Sequence, residues 1–131
     1  TIADLLNVVR PLINPRQEKK ELAQVFQALR MEVNHEVDAL QEFLEQTLTA
    51  IRPGGRLAII TYHSIEDRMV KNFMRSGRID GKVETDFFGR RLSPIAPLSV
   101  KPIVPSDEEV ERNPRARSAK LRVAIIGKED E

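Results

Sequence analysis

A chain of 131 residues is one domain's worth of material, and with 40% hydrophobic and 31% charged residues it can bury a real core. Zero cysteines exclude disulfides and thiolate metal sites, and the two histidines, His35 and His63, have no metal-binding spacing, so no metal site is expected. The net charge is only +1, so affinity for nucleic acid has to come from local clustering and not from a global field.

Taken in order, Thr1 to Arg10 predicts a short helix with Thr1 as cap and Asp4 three residues on, ended by Pro11. The N-terminus lacks the basic-then-apolar build of a signal peptide. No apolar run approaches the roughly 18 residues of a membrane span. A soluble, cytoplasmic protein without membrane contact is the expectation. Asn14-Pro15 reads as a turn and Arg16 to Glu21 as a charged helix entry. Leu22, Val25, Phe26, Leu29 and Val33 then fall at helical spacing, and Val37, Leu40, Leu44, Leu48 and Ile51 continue it. This predicts one long helix, or two with a joint near Asn34, closed by Arg52-Pro53-Gly54-Gly55.

Leu57 to Ile60 is a short unbroken apolar run, the pattern of a strand whose sheet is covered on both faces, which places the chain in the α/β class. Ser64 with Asp67 three residues later reads as an N-cap with its carboxylate partner, so a helix starts directly after Tyr62-His63. In open α/β sheets, ligands bind beyond the carboxyl ends of strands, where helix N-termini also point. His63, Ser64 and Asp67 are therefore candidate site residues. Their structural alternatives are a histidine closing a strand end, a serine that is only a cap, and an acid favoured by the helix dipole.

The helix after Ser64 turns Ile65, Met69, Val70, Phe73 and Met74 inward and stops near Ser76-Gly77. Its other side shows Arg68, Lys71, Arg75 and Arg78, a row that reads first as a solvated face. Residues 78–98 predict a mobile loop with a short hairpin. Val100 to Val104 resembles a strand, with Pro102 arguing for an edge. Ser106-Asp107-Glu108-Glu109 opens a short helix that Asn113-Pro114 closes. Lys120 to Gly127 predicts a strand with Leu121, Val123 and Ile125 on one face and Arg122, Ala124 and Ile126 on the other; the last four residues read as a frayed tail.

From Arg112 to Arg122 the chain carries five basic residues and no acid. Arginines on a rigid turn suit phosphates, because the guanidinium fork donates two parallel hydrogen bonds. A loop that balances the acidic helix before it accounts for the same cluster equally well. Gly54-Gly55 precedes a strand instead of following one, so it is no dinucleotide fingerprint.

Four blocks, in order, resemble the MraW-type (RsmH) methyltransferases: Phe26-Gln27-Ala28-Leu29-Arg30-Met31-Glu32-Val33-Asn34, Pro53-Gly54-Gly55-Arg56-Leu57, Tyr62-His63-Ser64-Ile65-Glu66-Asp67-Arg68, and Asn113-Pro114-Arg115-Ala116-Arg117-Ser118-Ala119-Lys120-Leu121-Arg122. Tyr62 and Ile65 depart slightly from the family pattern, where Phe and Leu are commoner. The resemblance implies S-adenosyl-L-methionine-dependent methylation of the exocyclic N4 of a cytidine in 16S ribosomal RNA, within the small ribosomal subunit. It implies the C-terminal part of a Rossmann-like α/β methyltransferase: residues 1–20 ending an inserted helical domain, 21–127 the C-terminal half of the core, and 128–131 a tail. The family's cofactor loop lies in an N-terminal half outside this chain, so no cofactor-binding residue is expected here, and the uncovered sheet edge leaves room for a homodimer. Carried onto this sequence, His63 and Asp67 become catalytic candidates. Arg30, Asn34, Ser64, Arg68, Arg115, Arg117 and Lys120 become substrate- or RNA-binding candidates. The alternatives are a non-catalytic RNA-binding or scaffold module and an α/β methyltransferase with another substrate.

Overall fold

The computed structural model describes residues 1–127; the expected tail at 128–131 lies outside the described residues. The chain divides into two compact units, Thr1–Asp38 and a second that begins at Ala39.

In the first unit, helix α1 (Ile2–Val9) starts at a reciprocal cap in which the Asp4 N–H donates to the Thr1 hydroxyl and the Asp4 carboxylate reaches back. Pro11 does not simply end it, because a 3-10 turn continues from Arg10 to Leu12. Asn14 caps a second 3-10 turn, Pro15–Gln17, by accepting from the Arg16 N–H, and α2 (Glu18–Asn34) follows. The joint expected near Asn34 falls at His35, which takes a left-handed conformation (φ 52) before α3 (Glu36–Ala50). There are thus two helices.

In the second unit the chain leaves α3 through Pro53 and Gly54 (φ 84) into strand β1 (Arg56–Thr61). The Gly54 N–H donates to the carbonyl of Ile126 at 2.6 Å, tying this turn to the final strand. Helix α4 (Ser64–Ser76) follows and stops at Gly77, where φ is 74 and any Cβ would lie 2.7 Å from the Pro94 ring. Strand β2 (Ile95–Pro97), helix α5 (Asp107–Arg112) and strand β3 (Lys120–Ile126) complete the unit. The sheet order is β1-β3-β2, and both pairings are antiparallel, with Leu57 opposite Ala124, Ile59 opposite Arg122 and Thr61 opposite Lys120.

One face of this sheet makes the core. Leu57, Ala124, Ile126 and Ile95 pack with Val70, Phe73 and Met74 of α4 and Leu44 of α3, all buried. At about 25 cal/mol per Å² of apolar surface, this cluster is the main source of the unit's stability. The neighbour of β1 is antiparallel, and no parallel pair occurs among the described residues. Three expectations are corrected here. Within this chain the apolar run of β1 is covered on one face only, since both helices pack there and Ile60 is 55% exposed. The strand expected at Val100–Val104 lies at Ile95–Pro97, because Ile95 reaches the core while Val100 stays exposed; Ile103 keeps a single bridge to Leu121. The cap of α4 is His63 and not Ser64. The expected hairpin is present: Thr85 and Arg91 bridge, with Phe87 and Phe88 at its tip.

Candidate functional site

Beyond the end of β1, a cleft of about 360 Å³ is lined by Thr61, Tyr62, His63, Ser64, Asp67, Ser118 and Lys120. The fold assembles it from three pieces that are distant in sequence: the end of β1, the first turn of α4, and the turn that leads into β3.

Asp67 is the fixed point. It lies on the same stripe of α4 as Val70 and Met74, so the packing that seats the helix on the sheet also carries this carboxylate inward, where it is only 8% exposed. A charge so placed needs a partner. Arg122, on the inward face of β3 and 55 positions away, supplies a two-pronged pair, Nε to Oδ1 at 2.8 Å and a terminal nitrogen to Oδ2 at 3.0 Å. The Thr61 hydroxyl donates to Oδ1 at 3.0 Å, and the Lys120 ammonium stands 3.7 Å from Oδ2. The Arg122 hydrogen bonds, helped by Thr61 and by the positive charges of Arg122 and Lys120, hold the Asp67 carboxyl below the ordinary aspartate value although burial opposes them. The group is a charged, weakly basic anchor.

His63 is committed to Glu66 through both ring nitrogens. Nδ1 accepts from the Glu66 N–H at 3.4 Å, as an N-cap does, and Nε2 lies 3.1 Å from the Glu66 carboxylate. The Glu66 carboxylate also accepts from the Tyr62 N–H, which completes a box around the helix start. Ser64 is freed from the capping role, stands exposed and lines the cleft.

The basic turn is a 3-10 segment, Pro114–Ser118. Ala116 pins it by being buried, so Arg115 and Arg117 on either side stand exposed, and neither has a partner among the described residues. Arg112 is held by Glu109 at 2.9 Å. Arg68 is exposed and likewise unpartnered among the described residues. Arg30 and Asn34 belong to the first unit, on α2, where Arg30 pairs with Glu36 at 3.2 Å.

His63, Ser64, Asp67 and Lys120 are therefore brought to one cleft, and Ser118 connects it directly to the turn bearing Arg115 and Arg117. Sequence reasoning missed Thr61, Ser118 and the role of Arg122. The signal for Arg122 was its parity: it shares the inward face of β3 with Ala124 and Ile126, and an inward guanidinium requires an inward acid.

The residues present do not form a cradle for the S-adenosylmethionine expected from the resemblance. The connection from β1 to α4 contains no glycine, and Gly55, Gly77 and Gly127 are closed against Ile51, Pro94 and Pro53 of this chain. Among the described residues no group of three or more His, Cys, Asp or Glu is placed to hold a metal ion, and no helix is long and apolar enough to cross a membrane.

A family model described as the MraW methylase family matches residues 1–126. The chain is similar to "Ribosomal RNA small subunit methyltransferase H" of Parabacteroides distasonis, 61% identical over 124 residues that make up 95% of this chain and 41% of the relative. The protein of that name from Bacteroides thetaiotaomicron is 57% identical, with the same coverage. That from Amoebophilus asiaticus is 51% identical over 94% of this chain and 40% of the relative. The chain spans about 41% of the length of these curated relatives.

Proposed function

Because this chain belongs to the MraW methylase family, we propose that it is the substrate-holding part of a small-subunit ribosomal RNA methyltransferase that modifies the exocyclic N4 of a cytidine. The observation that carries the reading is the junction of the rim cleft with a turn whose two arginines have no partner among the described residues. Within that reading, residues 1–20 end an inserted helical domain, and 21–127 complete a Rossmann-like core whose remaining strands pair along β1. The enzyme acts on the small subunit in the cytoplasm.

Cytosine N4 is a poor nucleophile, since its lone pair is delocalised into the ring. The base has to leave its stack and be held with that nitrogen aligned toward the methyl donor. Arg68, Arg115, Arg117 and Lys120 hold phosphates of the strand, which positions the RNA without reading its sequence. The base enters the rim cleft, where Ser64 and the imidazole edge of His63 border it. Asp67 is an orienting group: its charge keeps Arg122 and Lys120 in place and is too weakly basic to take the N4 proton. His63 orients as well, because its lone pair is spent on the Glu66 N–H. Arg30 and Asn34, on α2 of the first unit, are further RNA-binding residues in this reading. S-adenosylmethionine supplies the methyl group from a site in the part of the protein that this chain does not span.

The test is transfer of labelled methyl from S-adenosylmethionine to small-subunit RNA by the full-length protein, with the modified nucleoside identified by mass spectrometry. N4-methylcytidine is the expected product. Label on a different atom would assign another substrate, and RNA binding without label would leave a non-catalytic binding module.

A further inference from the structure

A second cleft, of about 310 Å³, lies against the first. Asp67 lines one and Arg122 lines the other, so their ion pair is a wall the two clefts share. Lys71, Arg75, Arg91 and Arg122 border the second cleft, and among the described residues no carboxylate does. Arg122 has its charge offset by Asp67. Lys71 and Arg75 follow Asp67 by one and two turns of α4, each step about 6 Å along the axis. Both side chains are exposed and have no partner among the described residues. Arg91 reaches across from the hairpin to donate to the Arg75 carbonyl at 2.9 Å, which fixes a third guanidinium over the last turns of α4. The contrast with the next cation of the row is informative, since Arg78 is held by both Asp80 and Glu84 at 2.8 Å.

The cleft is not merely basic. Met74, Pro97 and Val100 give it an apolar side. An anion alone has no use for that surface. A nucleotide has use for both, its phosphate on the cations and its base against hydrocarbon. The hairpin that carries Arg91 also presents Phe87 and Phe88, 98% and 80% exposed, at its tip, and an aromatic face offered to solvent is a stacking surface for single-stranded bases.

We propose that this second cleft is a nucleotide subsite: it holds the ribosomal RNA nucleotide adjoining the target, with its phosphate on Lys71 and Arg75 and its base against Met74 and Val100. The strand then runs from one cleft to the next over the Asp67–Arg122 wall. The inference rests on the RNA reading above and extends it to residues outside the rim.

The experiment uses the full-length protein and a small-subunit RNA fragment that carries the target. Affinity is measured over a range of salt concentrations, and the fragment carries 4-thiouridine beside the target for photo-cross-linking. Lys71→Ala with Arg75→Ala should weaken binding about tenfold or more and flatten the log–log salt slope by about 1.4, two phosphate contacts at roughly 0.7 each. Val100→Asp, which places a carboxylate at an exposed loop position of the cleft, should weaken binding in the same direction. Lys82→Ala, an exposed charge outside the cleft, should change neither quantity. The cross-link should fall on the peptides containing Met74 or Val100. Unchanged affinity and slope in the double variant, with wild-type methylation intact, would overturn the subsite alone. Failure of the unsubstituted protein to bind this RNA would overturn the RNA reading and the subsite with it.

Discussion

Arg122 and Arg115 carry the same guanidinium seven positions apart, and the fold treats them in opposite ways. Arg122 is on the inward face of β3 and is consumed by Asp67, to which Thr61 also donates. Arg115 stands beside the buried Ala116 on a tight turn and touches no acid among the described residues. The difference separates cations that build the site from cations left available to a ligand. A charge satisfied within the chain stabilises the fold, whereas one left open beside a cleft is ready for a phosphate.

The largest effect that sharpens this division should come from Arg122→Ala, which leaves the Asp67 carboxylate inside without its partner. A loss of about 3 kcal/mol is expected in denaturant unfolding. A loss under about 1 kcal/mol, as for an exposed pair, would remove Arg122 from the structural class.

Acid should dissolve the same pair. The folded Asp67 carboxyl is held below the ordinary value, chiefly by its Arg122 hydrogen bonds. Its contribution is therefore complete above the unfolded aspartate value of about 3.9 and is lost as pH falls from there through the folded value. Asp67→Asn should lower stability at neutral pH and show a shallower loss of stability below about pH 4. Parallel curves for the two proteins would mean that the pair contributes nothing in this window.

The two histidine-site residues should differ more modestly. His63→Ala removes the side-chain cap of α4 and should cost about 1 kcal/mol, while Ser64→Ala, at the first helical position, should stay within about 0.5 kcal/mol. Equal losses in thermal unfolding would return the capping role to Ser64. The smallest change in stability is expected for Arg115→Ala with Arg117→Ala, again within about 0.5 kcal/mol, because neither side chain has a partner among the described residues.

Local rules made much of this legible in the sequence. Thr1 with Asp4, and Ser106 with Glu109, announced helix starts that the structure contains, and the inward stripe of α4 held for Met69, Val70, Phe73 and Met74 but not for Ile65, which is 47% exposed. The alternation of β3 likewise put Arg122 on the face of Ala124 and Ile126. What failed was decided by distant contacts. Ile95 is bracketed by Pro94 and Pro97, residues that read as breakers, yet it is 2% exposed because β3 pairs with it. Val100 and Ile103 looked more strand-like and stay exposed, and Ile103 keeps only a single bridge to Leu121. His63 took the cap from Ser64 because Nδ1 accepts as a serine oxygen does, a choice that Glu66 settles by bonding the other nitrogen. The Asp67–Arg122 pair spans 55 positions, and no local pattern names such a partner.

The most direct measurement is the salt dependence of small-subunit RNA binding by the full-length protein, with and without Arg115→Ala and Arg117→Ala. If the open arginines hold phosphates, the slope falls by about 1.4 and affinity drops about tenfold at physiological salt, with unfolding unchanged. An unaltered slope and affinity would contradict the division between structural and ligand-holding cations.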